Sequence, residues 1–281
     1  MQTIRENNKT EKKIKIRSDT GKSFVLLFSR MNDLSWLQGK IPDLLNREDG
    51  TPVKSSDFST VLRFQNPETG EIFYFKEFHD RGMKDKLKKL IGSTRSERAF
   101  KAGQTLLEKG FLTSFPVAHG LEKACCLVRR NFLITREVPG ERTYQYFQSR
   151  FPLPLSAQMY AEKRALIHAA GREIGRLHSM GICHGDLRVG NIIINGRGSS
   201  AQFFFIDNER TQFYRTIPER KRMKNLVQMN MVLLPHITRT DRLRFFNTYV
   251  MENPVLLSNK KSLIREILRI TRKRQESKPF R

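Results

Sequence analysis

Residues 181–195 read Gly-Ile-Cys-His-Gly-Asp-Leu-Arg-Val-Gly-Asn-Ile-Ile-Ile-Asn, and after a Gly- and Ser-rich turn residues 202–207 read Gln-Phe-Phe-Phe-Ile-Asp. Two short apolar runs on either side of such a turn are the signature of a β-hairpin. In a hairpin, the residue before the first strand and the residue after the second lie at the same end. The pattern therefore predicts that Asn191 and Asp207 lie side by side.

Asp186, Asn191 and Asp207 have the types and spacing of a phosphoryl-transfer site. In kinase catalytic loops an Asp receives the proton of the attacking hydroxyl, while an Asn and a later Asp each hold Mg²⁺. The metal keeps water and phosphate oxygens in its octahedral shell, so an open ligand set suits it better than a closed cage. A chance polar loop between core strands is the alternative. The full pattern is far more specific than HxD alone, and it predicts a kinase that uses ATP and Mg²⁺.

The chain is strongly basic, with 52 Lys and Arg against 28 Asp and Glu in 281 residues and a net charge of +24. Such a charge attracts polyanions, whether nucleic acid, an anionic membrane surface or a phosphorylated substrate, and does not choose among them. The 38% of hydrophobic residues suffices for a full core. Three cysteines without a CxxC spacing favour a reducing, cytoplasmic compartment and argue against structural zinc.

Contact with a membrane, if it occurs, is expected to be peripheral. The early apolar run at residues 24–28 is too short for a secretory signal, and no segment approaches the ~20 apolar residues that cross a bilayer. Two basic amphipathic stretches, at residues 81–95 and 260–281, have the pattern of helices that lie on anionic surfaces. Ordinary helices that pack their apolar stripe on the protein body give the same pattern.

A small sheet with one helix is predicted before residue 137. Residues 58–65 and 71–78 flank a Pro- and Gly-containing turn and predict a hairpin, and an apolar helical rhythm ending at Gly110 predicts a helix over residues 96–108. Lys76 lies on the second strand and Glu97 at the start of the helix. A kinase strand Lys contacts nucleotide phosphates and is oriented by a helix Glu. The alternatives are an ordinary strand lysine and a solvated helix-start carboxylate.

A second helix is predicted over residues 157–180, behind the catalytic loop, and its residues His168 and His178 are interpreted as packing residues rather than ligands. The GxGxxG loop of protein kinases is missing before the first hairpin, where the chain has Gly50 and several serines. Backbone amides of a Ser-containing loop can still hold phosphate. The Ala-Pro-Glu motif is missing as well, which argues against an ordinary protein kinase.

The sequence resembles the lipopolysaccharide kinase group of the protein-kinase-like fold, the family that phosphorylates Kdo or heptose in the lipopolysaccharide inner core of Gram-negative bacteria. The resemblance covers residues 58–250, and its marks are Tyr74-Phe-Lys76, Arg95-Ser-Glu97, His184-Gly-Asp186-Leu with Asn191, Ile206-Asp207-Asn-Glu-Arg210 and Thr240-Asp-Arg-Leu-Arg-Phe-Phe. It implies a two-lobed α+β fold. The expected parts are a flexible basic N-terminus at 1–22, a β-rich N-lobe at 23–136 and a mainly helical C-lobe at 137–281.

The resemblance also implies roles for the predicted residues. Asp186 is the expected catalytic base, Asn191 and Asp207 the Mg²⁺ ligands, and Lys76 the nucleotide contact with Glu97 as its partner. The implied reaction is ATP-dependent phosphorylation of a Kdo or heptose hydroxyl in the lipopolysaccharide core precursor. The implied location is cytoplasmic, at the anionic surface of the inner membrane.

Arg188 lies two positions after Asp186, where protein kinases carry a Lys near the transferred phosphate. We expect its guanidinium to neutralise charge that develops during transfer. The alternative is a surface arginine on a loop.

The motif specifies the reaction better than the acceptor. The HGD form also occurs in small-molecule phosphotransferases and atypical protein kinases, so both are alternative functions. A basic pseudokinase or nucleic-acid-binding module is suggested only by the charge. No nucleic-acid-binding motif occurs in the sequence, so no nucleic-acid partner is expected. No motif specifies an oligomeric state.

Overall fold

The computed structural model describes residues 5–6, 11–17, 23–29, 35–80, 82, 92–124 and 127–277. The chain divides into two compact units. The first unit comprises Met1–Glu108 and Ser114–Glu137, and the second comprises Lys109–Thr113 and Val138–Arg281. Most of the basic stretch predicted at residues 81–95 lies outside the described residues.

The first unit is built on an antiparallel sheet with the spatial order β1-β2-β3-β7-β8-β6-β5-β4 among the described residues. Its strands are β1 (Arg5–Glu6), β2 (Glu11–Arg17), β3 (Ser23–Ser29), β4 (Thr51–Ser56), β5 (Ser59–Gln65), β6 (Ile72–Phe78), β7 (Pro116–Ala124) and β8 (Leu127–Arg136). The predicted hairpin is confirmed, since β5 and β6 pair from Ser59 opposite Phe78 to Gln65 opposite Ile72.

The N-terminal segment contains strands where the sequence predicted flexible chain. Strand β2 pairs with β3 along its whole length, from Glu11 opposite Ser29 to Arg17 opposite Ser23. The alternation of Lys and Ile over residues 13–16 explains the difference, because a two-residue period suits a strand. The structure therefore has a paired strand at residues 11–17, which the sequence analysis did not predict.

Two helices complete the described part of the first unit, α1 (Ser35–Asn46) and α2 (Arg95–Glu108). The second confirms the helix predicted over residues 96–108. The core between α1 and the sheet is aromatic, with Phe64, Phe73, Phe75 and Phe132 all buried. Because side chains alternate across a strand, burial of Phe73 and Phe75 directs the intervening residues of β6 to the opposite face.

The second unit is mainly helical. Its elements are β9 (Glu141–Arg142), α3 (Thr143–Arg150), α4 (Ala157–Ser179), β10 (Ile182–Cys183), β11 (Ile192–Asn195), β12 (Gln202–Phe205), β13 (Gln212–Phe213), α5 (Glu219–Asn230), α6 (Arg239–Met251) and α7 (Lys260–Glu276). Strands β12, β11 and β9 form one small sheet, and β10 pairs with β13. Helix α4 confirms the helix predicted over residues 157–180 and packs against α6, while α5 packs against α7. Within the described ranges, no helix has the length and apolar character needed to cross a membrane.

A buried ion pair joins α4 to α6. The Nζ atom of Lys163 lies 2.8 Å from Oδ2 of Asp241, and their side chains are only 3% and 1% exposed. Asp241 also caps α6, because its carboxylate and the Thr238 hydroxyl form a capping box. Burial alone would raise the pKa of the Asp241 carboxyl, but hydrogen bonds from Lys163 and Thr238 hold that pKa below its ordinary value.

The turn after β10 requires glycine at position 185. Gly185 has φ of +76°, and a Cβ atom built there would lie 2.3 Å from the carbonyl oxygen of Arg210. A left-handed conformation costs other residues about 1–2 kcal/mol, and here the backbone would also have to move. Gly190, in the same loop, differs because the nearest atom to its Cβ position is 3.9 Å away.

We expect Lys163→Met to lower the free energy of unfolding by about 2–3 kcal/mol, because the buried Asp241 carboxylate loses its buried cation and keeps Thr238 and the partly exposed Arg244 as partners. Urea denaturation followed by circular dichroism measures the change. The matched control is Arg269→Met, which removes an exposed ion pair with Glu266 and should have a far smaller effect. Equal effects of the two substitutions would contradict the structural role of the buried pair.

We expect Gly185→Ala to lower the free energy of unfolding by about 2–4 kcal/mol, because the added methyl group meets a main-chain carbonyl in a left-handed turn. Gly190→Ala is the control and should change stability by less than about 1 kcal/mol. Thermal unfolding of the two variants beside the wild type makes the comparison. Identical melting temperatures for both variants would show that the turn after β10 tolerates a side chain.

Candidate active site

The hairpin of β11 and β12 sets the geometry of the candidate site. Ile192 pairs with Phe205 and Asn195 with Gln202, as the two apolar runs predicted. The pairing extends one step further, because the backbone N–H of Ile206 donates to the carbonyl oxygen of Asn191 at 3.0 Å. The segments that carry Asn191 and Asp207 therefore lie side by side.

His184 joins the start of the catalytic loop to the end of the hairpin. Its side chain is buried, and Nε2 lies 3.1 Å from the carbonyl oxygen of Ile206. Burial lowers the pKa of His184, so the ring is neutral at pH 7 and its Nε2–H donates to that carbonyl. Ile206 is thus held at its N–H by Asn191 and at its carbonyl by His184.

Asp207 has an unusual backbone conformation, with φ of +64° and ψ of +48°. The left-handed region is uncommon for residues other than glycine, although Asp and Asn tolerate it best. The next residue, Asn208, is buried and donates from Nδ2 to the hydroxyl of Thr113 at 2.6 Å. The surrounding structure therefore holds Asp207 in a conformation of the kind that clusters at functional sites.

The carboxylate of Asp186 is engaged on one oxygen. Oδ1 accepts from Nε2 of Gln228 at 2.9 Å and lies 3.0 Å from Nε of Arg188. Among the residues that the structure describes, Oδ2 has no hydrogen-bond donor. The side chain is 25% exposed, so Oδ2 is accessible to accept a proton from a bound hydroxyl.

The side-chain amide of Asn191 is oriented by the main chain of the same loop. Its Nδ2 donates to the carbonyl oxygen of Asp186 at 2.9 Å, which leaves Oδ1 as the acceptor atom of the amide. Amide and carboxylate oxygens are the ligands that Mg²⁺ prefers, and two of them leave room for phosphate and water. Asn191 and Asp207 therefore fit the metal that the sequence predicted.

Arg188 reaches outward from the loop. Its side chain is 70% exposed, and its contact with Asp186 is through Nε. An exposed ion pair of this kind contributes little to stability, so the guanidinium can exchange this partner for a substrate anion at small cost.

Lys76 and Glu97 belong to the first unit, on β6 and α2. The Nζ atom of Lys76 lies 5.3 Å from the centroid of the Phe78 ring. The carboxylate of Glu97 accepts from Nζ of Lys101, one turn along the same helix, at 2.7 Å. Glu77 follows Lys76 on β6 and lies on the opposite face of the strand. It is buried against Arg130, and Oε1 of Glu77 lies 2.6 Å from Nε of Arg130.

Helix α5 supplies site residues that the sequence analysis missed. Gln228 contacts the carboxylate of Asp186, Lys224 donates to the carbonyl oxygen of Gly185 at 2.6 Å, and Asn225 is fully buried behind the loop. The available signal was weak: Asn225 and Gln228, three positions apart, share one helix face within an otherwise apolar run.

This chain is similar in sequence and in fold to known kinases. The chain is 30% identical over 163 residues to the lipopolysaccharide core heptose(I) kinase WaaP of Pseudomonas aeruginosa, over 55% of this chain and 59% of the relative. It is 24% identical over 149 residues to the 3-deoxy-D-manno-octulosonic acid kinase of Pasteurella multocida, over 53% and 58%. The matches thus span somewhat more than half the length of these relatives.

A solved structure described as WaaP in complex with acyl carrier protein aligns with a TM-score of 0.63 at 23% identity, covering 85% of this chain and 95% of that chain. This similarity confirms a mixed α and β fold shared with WaaP. At the level of the family, the match to the lipopolysaccharide kinase (Kdo/WaaP) family extends over residues 45–249, well over half of the chain. This chain therefore belongs to the lipopolysaccharide kinase (Kdo/WaaP) family.

Proposed function

We propose that this chain is an ATP-dependent kinase that phosphorylates a Kdo or heptose hydroxyl in the lipopolysaccharide inner core. The observation that carries the proposal is the half-engaged carboxylate of Asp186, which lies beside an oriented Asn191 amide. The names of the two relatives, a heptose kinase and a 3-deoxy-D-manno-octulosonic acid kinase, support the sugar acceptor.

In the proposed reaction, Oδ2 of Asp186 accepts a hydrogen bond from the sugar hydroxyl and directs its oxygen toward the γ-phosphorus. As the new O–P bond forms, the proton passes to Asp186, and ADP leaves with the electron pair of the broken phosphoanhydride bond. Arg188 donates to the γ-phosphoryl oxygens, where negative charge is concentrated. Most of the rate enhancement then comes from orientation and charge stabilisation.

Asn191 and Asp207 would hold Mg²⁺, which when bound neutralises charge on the β- and γ-phosphate oxygens. Asn191 contributes Oδ1, since its Nδ2 is already used on the Asp186 carbonyl. Asp207 contributes its carboxylate from the end of β12.

We assign the first unit to the N-lobe and the second to the C-lobe of a two-lobed kinase-like fold. The lobe bounds expected from the sequence, residues 23–136 and 137–281, differ from the units in that residues 109–113 belong to the second unit. Lys76 would contact the α- and β-phosphates of ATP, and Glu97 would orient it. Support comes from their order along the chain and from their positions on a strand and on the following helix. Glu97 would exchange its bond with Lys101 for one with Lys76.

We place the protein on the cytoplasmic face of the inner membrane, where it would meet the lipopolysaccharide precursor. The apolar stripe of α7 does not serve this contact, because Leu263 and Ile267 are buried in the second unit. The contact would instead be electrostatic, at about 1 kcal/mol for each basic residue near an anionic surface. Exposed cations on α7 include Lys261, Arg265 and Arg269.

An apolar cavity in the second unit suggests acyl carrier protein as a further partner. The cavity has a volume of about 500 Å³ and is lined mainly by apolar side chains of the helices and of the β11–β12 hairpin. A solved WaaP structure is a complex with acyl carrier protein. An acyl chain is the kind of ligand that an apolar cavity of this size accepts.

We expect Asp186→Ala to fold and to bind nucleotide, while phosphate transfer falls about 10²–10⁴-fold because no group receives the hydroxyl proton. The assay follows transfer of label from γ-labelled ATP to dephosphorylated inner-core oligosaccharide. Asp43→Ala, on the exposed side of α1, is the matched control. Wild-type turnover by Asp186→Ala would contradict the assignment. Transfer to protein and not to oligosaccharide would favour an atypical protein kinase.

We expect Leu243→Trp to weaken binding of acyl-loaded carrier protein at least tenfold, because Leu243 lines the cavity and is partly exposed at its edge. Isothermal titration with acylated and unacylated carrier protein measures the affinities. Leu233→Trp is the control, since Leu233 is similarly exposed but does not line the cavity. Equal affinities of the two variants for acylated carrier protein would argue against the cavity as the acyl site.

A further inference from the structure

A continuous chain of buried polar side chains lies behind the catalytic loop. It runs through Arg222, Tyr249, His178, Asn225 and Gln228, all of which are buried. Burying polar groups is costly unless each finds a hydrogen-bond partner, and apolar residues would fill the same space more cheaply. A run of five such residues that ends on Asp186 therefore calls for a functional explanation.

The direction of hydrogen-bond donation along these side chains is defined at the end nearest Asp186. The backbone N–H of Leu187 can only donate, and it contacts Gln228 at 3.1 Å, so the Gln228 atom there is the acceptor Oε1. Nε2 of Gln228 consequently faces Asp186 and donates to Oδ1 at 2.9 Å. The same Oε1 accepts from Nδ2 of Asn225 at 3.1 Å, which turns Oδ1 of Asn225 away from the loop.

Hydrogen-bond donation runs in the same direction when it is followed from Arg222, at the other end. The guanidinium of Arg222 can only donate, and its Nη1 donates to the Tyr249 hydroxyl at 2.8 Å. The Tyr249 proton is then available to Nδ1 of His178, at 3.0 Å. Nε2 of His178 carries the ring proton and donates to Oδ1 of Asn225 at 3.2 Å.

The protonation states agree with this direction. Burial lowers the pKa of His178 to about 3 and raises that of Tyr249 to about 12. Both side chains are therefore neutral near pH 7, so His178 has one donor and one acceptor nitrogen.

We propose that these side chains form a one-directional hydrogen-bond relay that positions the catalytic carboxylate, in the order Arg222, Tyr249, His178, Asn225, Gln228, Asp186. The proposal rests on the proposed kinase function. The relay fixes Gln228 Nε2 on Oδ1 of Asp186 and so keeps Oδ2 for the acceptor hydroxyl. Gln228 also holds the backbone N–H of Leu187, so one side chain sets both the carboxylate and the loop that carries it.

A relay differs from independent packing contacts in how its members couple. Hydrogen bonds in a chain polarise one another, and each fixes the orientation or tautomer of the next group. Loss of the Tyr249 hydroxyl would leave Nδ1 of His178 without its donor, so Oδ1 of Asn225 alone would hold the ring in the Nε2–H tautomer. Gln228 would keep the Leu187 N–H and Asn225 would keep the Cys183 thiol as donors, so the bond from Gln228 to Asp186 would weaken rather than reverse.

The test uses Gln228→Met and Tyr249→Phe, separately and together, in the phosphate-transfer assay. We expect kcat to fall about 100-fold for Gln228→Met and about 10-fold for Tyr249→Phe, with the KM for ATP within about twofold of wild type, as for groups that orient a catalytic residue. The double variant should match Gln228→Met, because the relay is already broken there. Additive losses in kcat would overturn the proposal.

Tyr146→Phe is the matched control. Tyr146 is also fully buried, and its hydroxyl donates to the carbonyl oxygen of Gly196 at 2.9 Å, outside the relay. It should lose stability comparable to that lost by Tyr249→Phe while keeping kcat. Equal kcat for the two tyrosine variants would reduce Tyr249 to a structural residue and overturn the proposal.

The imidazole ¹⁵N signals of His178 provide a readout that needs no turnover. We expect the Nε2–H tautomer in the wild type and in both variants, with the Nδ1 signal shifted in Tyr249→Phe, where that nitrogen loses its donor, and unshifted in Tyr146→Phe. If the wild type transfers no phosphate to core sugar, the proposed function fails but these spectra still decide on the relay. An Nδ1–H tautomer in the wild type, or an Nδ1 signal in Tyr249→Phe identical to that of the wild type, would overturn it.

Discussion

The candidate site depends on two hydrogen bonds made by the main chain of Ile206. The Ile206 N–H donates to Asn191 and its carbonyl accepts from His184, at 3.0 and 3.1 Å. These two bonds join three parts of the chain: the start of the catalytic loop, its end, and the end of β12. Neither bond involves the side chain of Asp186, Asn191 or Asp207.

The site has two layers with different physical origins. The front layer comes from one continuous stretch of sequence, where a hairpin and a glycine turn bring the ligands together. The back layer comes from α4, α5 and α6, whose polar side chains meet only after the helices have packed. The buried polar groups of that layer are tolerated because each has hydrogen-bond partners, and they connect the helical core to the carboxylate of Asp186.

The front layer could be predicted from the sequence because its signals are local. Alternating and aromatic runs around a turn predicted β11 and β12, and the order of those strands predicted the proximity of Asn191 and Asp207. The back layer could not be predicted from the sequence, because Gln228 lies 42 positions from Asp186. The periodicity of a single helix or strand does not indicate contacts at that separation. His178 was interpreted as a packing residue, and it is buried, but its two nitrogen partners depend on helix packing and could not be predicted. Strand β2 was missed because its alternating lysines give the segment the composition of a flexible tail.

The central claim is that this site transfers phosphate from ATP to a core sugar. The most direct measurement is ³¹P NMR of dephosphorylated inner-core oligosaccharide after incubation with the protein, ATP and Mg²⁺. The account predicts a new phosphomonoester signal coupled to a Kdo or heptose ring proton, with one ADP formed for each phosphate transferred. A sugar without a phosphomonoester, in a sample where the protein binds ATP, would contradict it.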